Sequence, residues 1–158
     1  MSTPSPNHPT ANSELQFASF QVGDLLLGIE IHQVQEINRN LNLTPVPHAP
    51  EAVKGVINLR GEVVTVVDLR RVLGLPSVPC TRSTSNVIIK QGHEQVGLLV
   101  DQVAEVITCQ STEIDPLPEN LAGIDSCFFS GVIKLQHNLL VVLNVTQSLQ
   151  ALAQPAAA

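Results

Sequence analysis

A pattern that occurs twice is the strongest constraint on the fold of this chain. Residues 55–73 read GVINLRGEVVTVVDLRRVL, and residues 131–149 read GVIKLQHNLLVVLNVTQSL. Aligned without a gap, the two stretches are identical at Gly55/Gly131, Val56/Val132, Ile57/Ile133, Leu59/Leu135, Val66/Val142 and Leu73/Leu149. Most of the remaining positions pair an apolar residue with an apolar one, or a polar residue with a polar one. The fold therefore has to contain one small structural unit twice.

Two further correspondences extend the repeat towards the start of each copy. LLLGIEIHQVQEIN aligns with QVGLLVDQVAEVI on Gly28 and Gly97, and TPVP at residue 44 is echoed by DPLP at residue 115. The offset is 69 residues at the glycines (97 − 28), 71 at the proline segments (115 − 44) and 76 at the last pattern (131 − 55). It grows only where loops can lengthen. The sequence thus predicts a tandem duplication of a unit of about 70 residues.

Short β-strands are the predicted elements of each unit. Apolar residues make up 44% of the chain and are mainly Val, Leu and Ile, and β-branched side chains favour strands. KGVINL and EVVTVV flank Arg60-Gly61, and NVIIKQ and QVGLLV flank Gly92-His93, so each pair is predicted as a hairpin. The predicted class is all-β with a few short helices, in two small barrels packed together.

Helices and linkers are predicted from local signals. Asp68 can cap a short helix, LRRVLGL, that Gly74 and Pro76 end. HQVQEI is either a single helical turn or an extended edge, because its period is ambiguous over so few residues. The segment 76–86, PSVPCTRSTSN, has no apolar periodicity and is predicted to link the two units.

The expected domain boundaries follow from composition. Residues 1–13 are rich in Pro, Ser, Asn and Thr and are predicted to be a disordered tail. Residues 14–152 form the predicted folded domain, with a first unit at about 14–80 and a second at about 84–152. Residues 153–158 are expected to be a disordered C-terminus.

Composition argues against several classes of function. The formal net charge is −6 and the eight Lys and Arg residues form no stripe, which argues against nucleic-acid binding. No apolar run approaches the ~20 residues of a membrane span, and the N-terminus lacks a signal-peptide pattern, so a soluble cytoplasmic protein without membrane insertion is expected. The histidines are scattered, and no metal site or cofactor is predicted.

Catalytic chemistry is not indicated either. No G-x-S-x-G motif is present, and the glycines are spread singly instead of forming a phosphate-binding cluster. Cys80, Cys109 and Cys127 are interpreted as free thiols, and the apolar surroundings of the last two predict inert, buried side chains. An enzyme is therefore not expected.

The charged residues of the first copy are not repeated in the second. Arg60 aligns with Gln136, and Asp68 aligns with Asn144. Asp68 is explained by helix capping, and Asn58 could simply satisfy backbone groups. Arg60 at a hairpin tip suits a planar contact with a carboxylate, such as that of Glu36 or of a partner protein.

These residues resemble a known family. LLGIEIHQVQEI, TPVPHAPEAVKGVINLRGEVVTVVDLRRVLGL, VGLLVDQVAEV and GVIKLQHNLLVVLNV together are similar to the CheW-like chemotaxis coupling proteins. The resemblance runs from about residue 17 to 152, and GVINLRG followed by VVDLR is its most specific part. It implies two five-stranded SH3-like β-barrels. It also implies a non-catalytic adaptor that links the cytoplasmic tips of transmembrane chemoreceptors to the regulatory domain of the histidine kinase CheA, at receptor arrays on the membrane.

The resemblance also implies functional positions. The residues expected to bind partners, or to support the binding surface, are Val34, Glu36, Gly55, Asn58, Arg60, Gly61 and Gly97. The chain departs from many relatives at Leu27, where they carry an aromatic residue. If only one copy recognises a partner, only that copy needs fixed charges, which would explain the asymmetry of the repeat.

Two alternatives remain open at the level of sequence. A coupling protein of a chemosensory-like pathway for pilus motility or biofilm signalling would carry the same motifs. A small β-barrel enzyme or ligand carrier would instead need a convergent polar pocket.

Overall fold

The computed structural model describes residues 13–118 and 124–153. The strands are β1 Glu14–Val22, β2 Leu25–Glu30, β3 Val34–Asn38, β4 Val53–Leu59, β5 Glu62–Asp68, β6 Ser85–Gln91, β7 Glu94–Val100, β8 Gln102–Gln110, β9 Ile114–Asp115, β10 Phe129–Lys134 and β11 Leu139–Leu143. The α-helices are α1 Leu69–Val72 and α2 Val145–Ala153, and 3-10 helices span Ile31–Gln33, Ser111–Glu113 and Ser126–Phe128. The predicted all-β class with short helices is confirmed.

Both predicted hairpins are present. Strands β4 and β5 pair on either side of Arg60-Gly61, and β6 and β7 pair on either side of Gly92-His93. Asp68 caps α1, since its Oδ1 accepts a hydrogen bond from the N–H of Arg70 at 3.1 Å. The ambiguous HQVQEI segment takes both predicted forms, because a 3-10 turn leads directly into β3.

The strands form two sheets. Sheet A has the order β8-β1-β2-β11-β10-β9, and sheet B has the order β3-β6-β7-β5-β4. Each sheet contains one parallel pair, β2 with β11 in sheet A and β5 with β7 in sheet B. All the other pairs are antiparallel.

The predicted duplication is visible in the pairing. The first five strands of sheet A correspond one by one to the strands of sheet B. In order, β8, β1, β2, β11 and β10 match β3, β6, β7, β5 and β4. The parallel registers are equivalent too, because Val142 lies opposite Gly28 and Val66 opposite Gly97. The remaining strand, β9, pairs with β10, and its counterpart in sheet B is an isolated bridge between Thr44 and Val56.

The two sheets do not divide the chain at the predicted linker. Strands β1 and β2 lie in the sheet that holds the end of the chain, whereas β6 and β7 lie in the sheet with β3, β4 and β5. The two copies have exchanged their first hairpins, so the expected boundary between about 80 and 84 does not separate the sheets. Ser13, assigned by sequence to the tail, accepts a hydrogen bond through its carbonyl oxygen from the N–H of Ser111. Residues 1–12 and 154–158 of the predicted tails lie outside the described residues.

The five-stranded SH3-like barrels are not confirmed in that form. The sheets have six and five strands, and among the described residues the terminal strands of each sheet do not pair with each other. The difference arises partly from β9, which is two residues long and adds a sixth strand to sheet A alone. In sheet B the two terminal strands are joined by side chains instead, as described below.

The apolar core has three parts. The largest part is central and draws on both sheets, with Phe20, Leu27, Ile89 and Leu98 among its buried members. A second part lies within sheet A around Phe17, and a third lies within sheet B. Because the central part takes residues from both sheets, the two sheets bury more apolar surface together than either does alone.

The predictions for the cysteines are confirmed in part. All three are free thiols, and Cys109 is buried as expected. The prediction of burial is wrong for Cys127, which is exposed in the 3-10 helix Ser126–Phe128. Asp125 caps that turn by accepting a hydrogen bond from the N–H of Cys127 at 3.0 Å, so this stretch is not a strand. No helix in the described part of the chain is long and apolar enough to cross a membrane.

Candidate partner-binding site

Several of the predicted site residues lie in one row across sheet B. From edge to edge the row contains Glu36 on β3, Ile88, Gly97, Val66 and Gly55 on β4, each opposite the next in the pairing register. Neighbours in such a row share a face of the sheet. Ile88 and Val66 are fully buried, so this face is the interior one, and Glu36 stands at its rim.

The β4–β5 turn presents Arg60. Arg60 and Gly61 both have positive φ, 54° and 86°, which is the backbone of a tight two-residue hairpin. The Oδ1 atom of Asn58 accepts a hydrogen bond from the N–H of Gly61 at 3.0 Å and so fixes the turn. Asn58 and Gly61 therefore act on the position of Arg60, as supports of the surface.

Arg60, in the turn that follows β4, forms an ion pair with Glu36 on β3, the strand at the opposite edge of sheet B. Its Nη1 atom lies 2.7 Å from Oε2 of Glu36, and Oε1 of Glu36 accepts a further hydrogen bond from Nδ2 of Asn38 at 3.1 Å. The Arg60 side chain is 80% exposed, whereas that of Glu36 is 22% exposed. Since β3 and β4 are the terminal strands of sheet B, this ion pair joins the two edges that backbone pairing leaves apart.

The glycines of the row serve the packing beneath this surface. A Cβ atom on Gly55 would lie 2.5 Å from the carbonyl oxygen of Thr44, and φ of Gly55 is 154°. A Cβ atom on Gly97 would lie 3.1 Å from Cδ1 of Ile88 and 3.2 Å from Cγ2 of Val66. At Gly55 backbone atoms occupy the space of a side chain, and at Gly97 a side chain would press closely on two core residues.

Exposed apolar side chains lie next to Glu36 in the chain and opposite Asn58 in the pairing register. Ile37, which follows Glu36 on β3, is 43% exposed, and Val63, which lies opposite Asn58, is 71% exposed. Val34 is half-buried and packs against the central core. Ile37 and Val63 were not predicted from sequence, although strand alternation offered a signal for Val63, which must point outward because Val64 and Val66 point inward. We call Glu36, Ile37, Asn58, Arg60 and Val63 the β3–turn surface.

Asp68 belongs to a different cluster. It is 4% exposed, its Oδ2 accepts a hydrogen bond from the Ser77 hydroxyl at 2.5 Å, and Nζ of Lys54 lies 3.8 Å from the same oxygen. Together with the cap on α1, these contacts give Asp68 a structural role, as the capping interpretation predicted. No contact that the structure records links it to Arg60 or Glu36.

A second ion pair was not predicted from sequence. Arg70 on α1 donates from Nε to Oδ1 of Asp101 at 2.9 Å and from Nη2 to Oδ2 at 2.6 Å. Burial by itself would raise the pKa of Asp101, but the hydrogen bonds from Arg70 and Gly23 and the Arg70 charge outweigh it and lower that pKa. The hydrogen bond with Asp101 is also the main reason why the pKa of Arg70 is raised, against the opposing effect of burial.

The second copy of the repeat has no equivalent of the first ion pair. Glu105 is the counterpart of Glu36, but Gln136 stands in place of Arg60, and both side chains are exposed. Among the described residues, neither forms an ion pair. The charge difference between the two copies in the sequence therefore corresponds to an ion pair that is formed between the edges of sheet B and not between those of sheet A.

Metal ligation finds no support in the described ranges. No group of three or more His, Cys, Asp or Glu side chains there is placed to hold a metal ion. The β3–turn surface has a cation, a carboxylate and apolar side chains, an arrangement suited to contact with another protein.

Comparison with known proteins identifies the family. The CheW-like domain family matches residues 16–153. The chain is 32% identical to the chemotaxis protein CheW of Helicobacter pylori over 136 residues, which covers 86% of this chain and 82% of that protein. It is also 32% identical to the chemotaxis protein CheW of Rhizobium meliloti over 134 residues, covering 85% and 86%.

A solved structure gives the same answer for the fold. The scaffolding protein TtCheW of Thermoanaerobacter tengcongensis superposes with a TM-score of 0.78 at 28% sequence identity, covering 84% of this chain and 90% of that one. The match therefore includes both sheets instead of one half of the repeat. With nearly all of its folded residues matched in sequence and in structure, the chain belongs to the CheW-like family.

Proposed function

We propose that this protein is a non-catalytic adaptor that couples transmembrane chemoreceptors to the histidine kinase CheA in chemotaxis signalling. Membership of the CheW-like family supports the adaptor class, and the similar solved structure is that of a scaffolding protein. In this proposal the chain acts by binding alone and is recruited to receptor arrays at the membrane through its partners.

The observation that carries the proposal is the exposed but oriented guanidinium of Arg60. Glu36 occupies one side of it at 2.7 Å, while 80% of the side chain remains open to solvent. A guanidinium has five N–H donors in a planar fork, so one ion pair leaves donors for a carboxylate or carbonyl of a partner. Ile37 follows Glu36 on β3 and Val63 lies opposite Asn58, and exposed apolar area of this kind strengthens binding when a partner covers it.

Binding and stability should respond differently to the loss of Arg60. An exposed ion pair contributes about 0–1 kcal/mol to folding. An interface arginine can contribute about 2 kcal/mol to binding, which corresponds to a loss of affinity of roughly thirtyfold. A large effect on affinity beside a small effect on stability would therefore mark Arg60 as a contact residue.

The test is calorimetric titration with two partners measured separately, the CheA regulatory domain and a receptor cytoplasmic-tip fragment from the same cell. Arg60→Ala should weaken binding to at least one of them by about thirtyfold. Arg60→Lys should restore little, since an ammonium group lacks the planar fork. Arg71→Ala is the matched control, because Arg71 also forms an exposed ion pair, with Glu51 at 3.1 Å, away from the β3–turn surface. Equal affinities of Arg60→Ala and Arg71→Ala for both partners would contradict the proposal.

A further inference from the structure

The chain passes between the two sheets at two equivalent crossovers. It leaves β2 in sheet A and enters β3 in sheet B through the 3-10 helix Ile31–Gln33. It leaves β7 in sheet B and enters β8 in sheet A through the single residue Asp101. The repeat relates the two crossovers, since the offset of 69 residues at the glycines places His32 at the position of Asp101 (101 − 69).

The crossover at Asp101 is held from three directions. Its N–H donates to the carbonyl oxygen of Gln21 at 3.0 Å, and its Oδ2 accepts from the N–H of Gly23 at 2.8 Å, which ties it to β1 and the β1–β2 turn of sheet A. Arg70, on the helix that follows β5 of sheet B, grips the same carboxylate with two hydrogen bonds. The Arg70 and Asp101 side chains are only 17% and 26% exposed, so solvent screens the pair weakly.

The crossover at residues 31–33 has none of these contacts. His32 replaces the aspartate, Thr146 replaces the arginine (70 + 76), and both side chains are exposed. Within the described ranges, the 3-10 helix has no buried residue and no side-chain cap, and Ile31 is 38% exposed. A cavity of about 220 Å³ lies against it, with Glu30, Gln33 and Thr146 in its wall.

We propose that the protein contains a one-sided hinge, in which the Arg70–Asp101 clamp is the pivot and the crossover at residues 31–33 moves. The two sheets then change their relative angle by opening and closing at the unclamped crossover. Strand β3 begins at the next residue, Val34, and carries Glu36, and Arg60 lies in the same sheet, so this motion turns the Arg60–Glu36 pair as a whole against sheet A. Its consequence for partners rests on the proposed adaptor function, whereas the hinge itself is a property of the free protein.

The test uses the full-length free protein with ¹³C-labelled Ile, Leu and Val methyl groups and relaxation dispersion, which detects motion on the microsecond-to-millisecond timescale. The unmodified protein should show dispersion at the methyls of Ile31 and Val34 and flat profiles at Val100 and Val103, which flank the clamp. Flat profiles at Ile31 and Val34, or equal dispersion at the two crossovers, would overturn the hinge. Because no partner is present, this outcome is independent of whether Arg60 binds one.

Two variants test the cause of the asymmetry. Asp101→Asn keeps the size of the side chain but removes the charge that Arg70 grips, and dispersion should appear at Val100 and Val103. The double variant His32→Asp with Thr146→Arg copies the clamp to the free crossover and should abolish dispersion at Ile31 and Val34. Glu51→Gln is the control, since it breaks an exposed ion pair to α1 and should change neither set. Unchanged profiles in both clamp variants would show that the clamp does not determine the motion.

Discussion

Substitution of Gly55 by alanine offers the sharpest test of how the proposed partner-binding surface is supported. A Cβ atom at this position would lie 2.5 Å from the carbonyl oxygen of Thr44 and 3.0 Å from the carbonyl carbon. These atoms are backbone, so they cannot rotate away as the end of a flexible side chain can. Alanine at residue 55 therefore has to displace the segment that contains Thr44.

The loss in the free energy of unfolding can be worked out from the hydrogen bonds that this displacement breaks. The N–H of Thr44 and its carbonyl oxygen each form a 2.9 Å hydrogen bond with Val56, and each bond contributes about 0.5–1.5 kcal/mol net. The φ of 154° adds a strain of about 1–3 kcal/mol for a residue with a side chain. We expect Gly55→Ala to lower the free energy of unfolding by about 2–6 kcal/mol, a large part of the 5–15 kcal/mol of an ordinary domain.

Urea denaturation followed by circular dichroism measures this free energy, and Gly92→Ala is the matched control. Gly92 also has a positive φ, 62°, but no atom lies within 4 Å of the place of its Cβ, so only strain of about 1–2 kcal/mol is expected. If Gly55→Ala is no more destabilising than Gly92→Ala, the close approach of Thr44 does not constrain residue 55. Gly55 would then have to be explained by direct contact with a partner.

Three other predictions concern stability, two measured by urea denaturation and the third by thermal unfolding. Arg60→Ala should lower the free energy of unfolding by no more than about 1 kcal/mol, because the side chain is mostly exposed, and a larger loss would make Arg60 a structural residue. The lowered pKa of Asp101 should add stability above about pH 3.9, its unfolded value, and this part should vanish as the pH falls through the folded pKa. Asp101→Asn should remove that acid-dependent part. If the stability of this variant depends on pH as that of the unmodified protein does, Asp101 is not the group responsible. Deletion of residues 1–12 should leave the thermal midpoint unchanged, because the segment has no large apolar side chain beyond the first Met; a drop of several degrees would show that it packs.

Local chemistry explains which elements could be predicted from sequence. The turn at Arg60-Gly61 and the cap at Asp68 each depend on residues within three positions of each other, so short motifs indicate them. The repeat predicted equivalent strands in the two copies for the same reason, since each copy carries the same pattern of apolar residues. Gly55 and Gly97 were selected through the family resemblance, and only the structure shows which atoms occupy the space beside them.

The exchange of hairpins was not predicted because the two copies are interchangeable locally. Val66 lies opposite Gly97 and Val142 opposite Gly28, but the apolar pattern would equally allow each valine to lie opposite the glycine of its own copy. A usable signal lay in the connection after β7. Asp101 alone separates β7 from β8, so their ends lie at most about 7 Å apart, whereas in the unexchanged arrangement β8 would lie beyond β6, about 10 Å from β7. The strand therefore continues into the other sheet.

The charges of the first copy act between elements rather than within the repeated unit. Arg60 joins the terminal strands of sheet B, and Arg70 joins one sheet to the other through Asp101. Their counterparts in the second copy, Gln136 and Thr146, are uncharged. The apolar positions that both copies must bury are the same, whereas an ion pair with an exposed partner, such as Arg60–Glu36, contributes little to folding and can be lost from one copy at small cost. What distinguishes the two copies is therefore the contacts that set how the sheets sit against each other and what they present to partners.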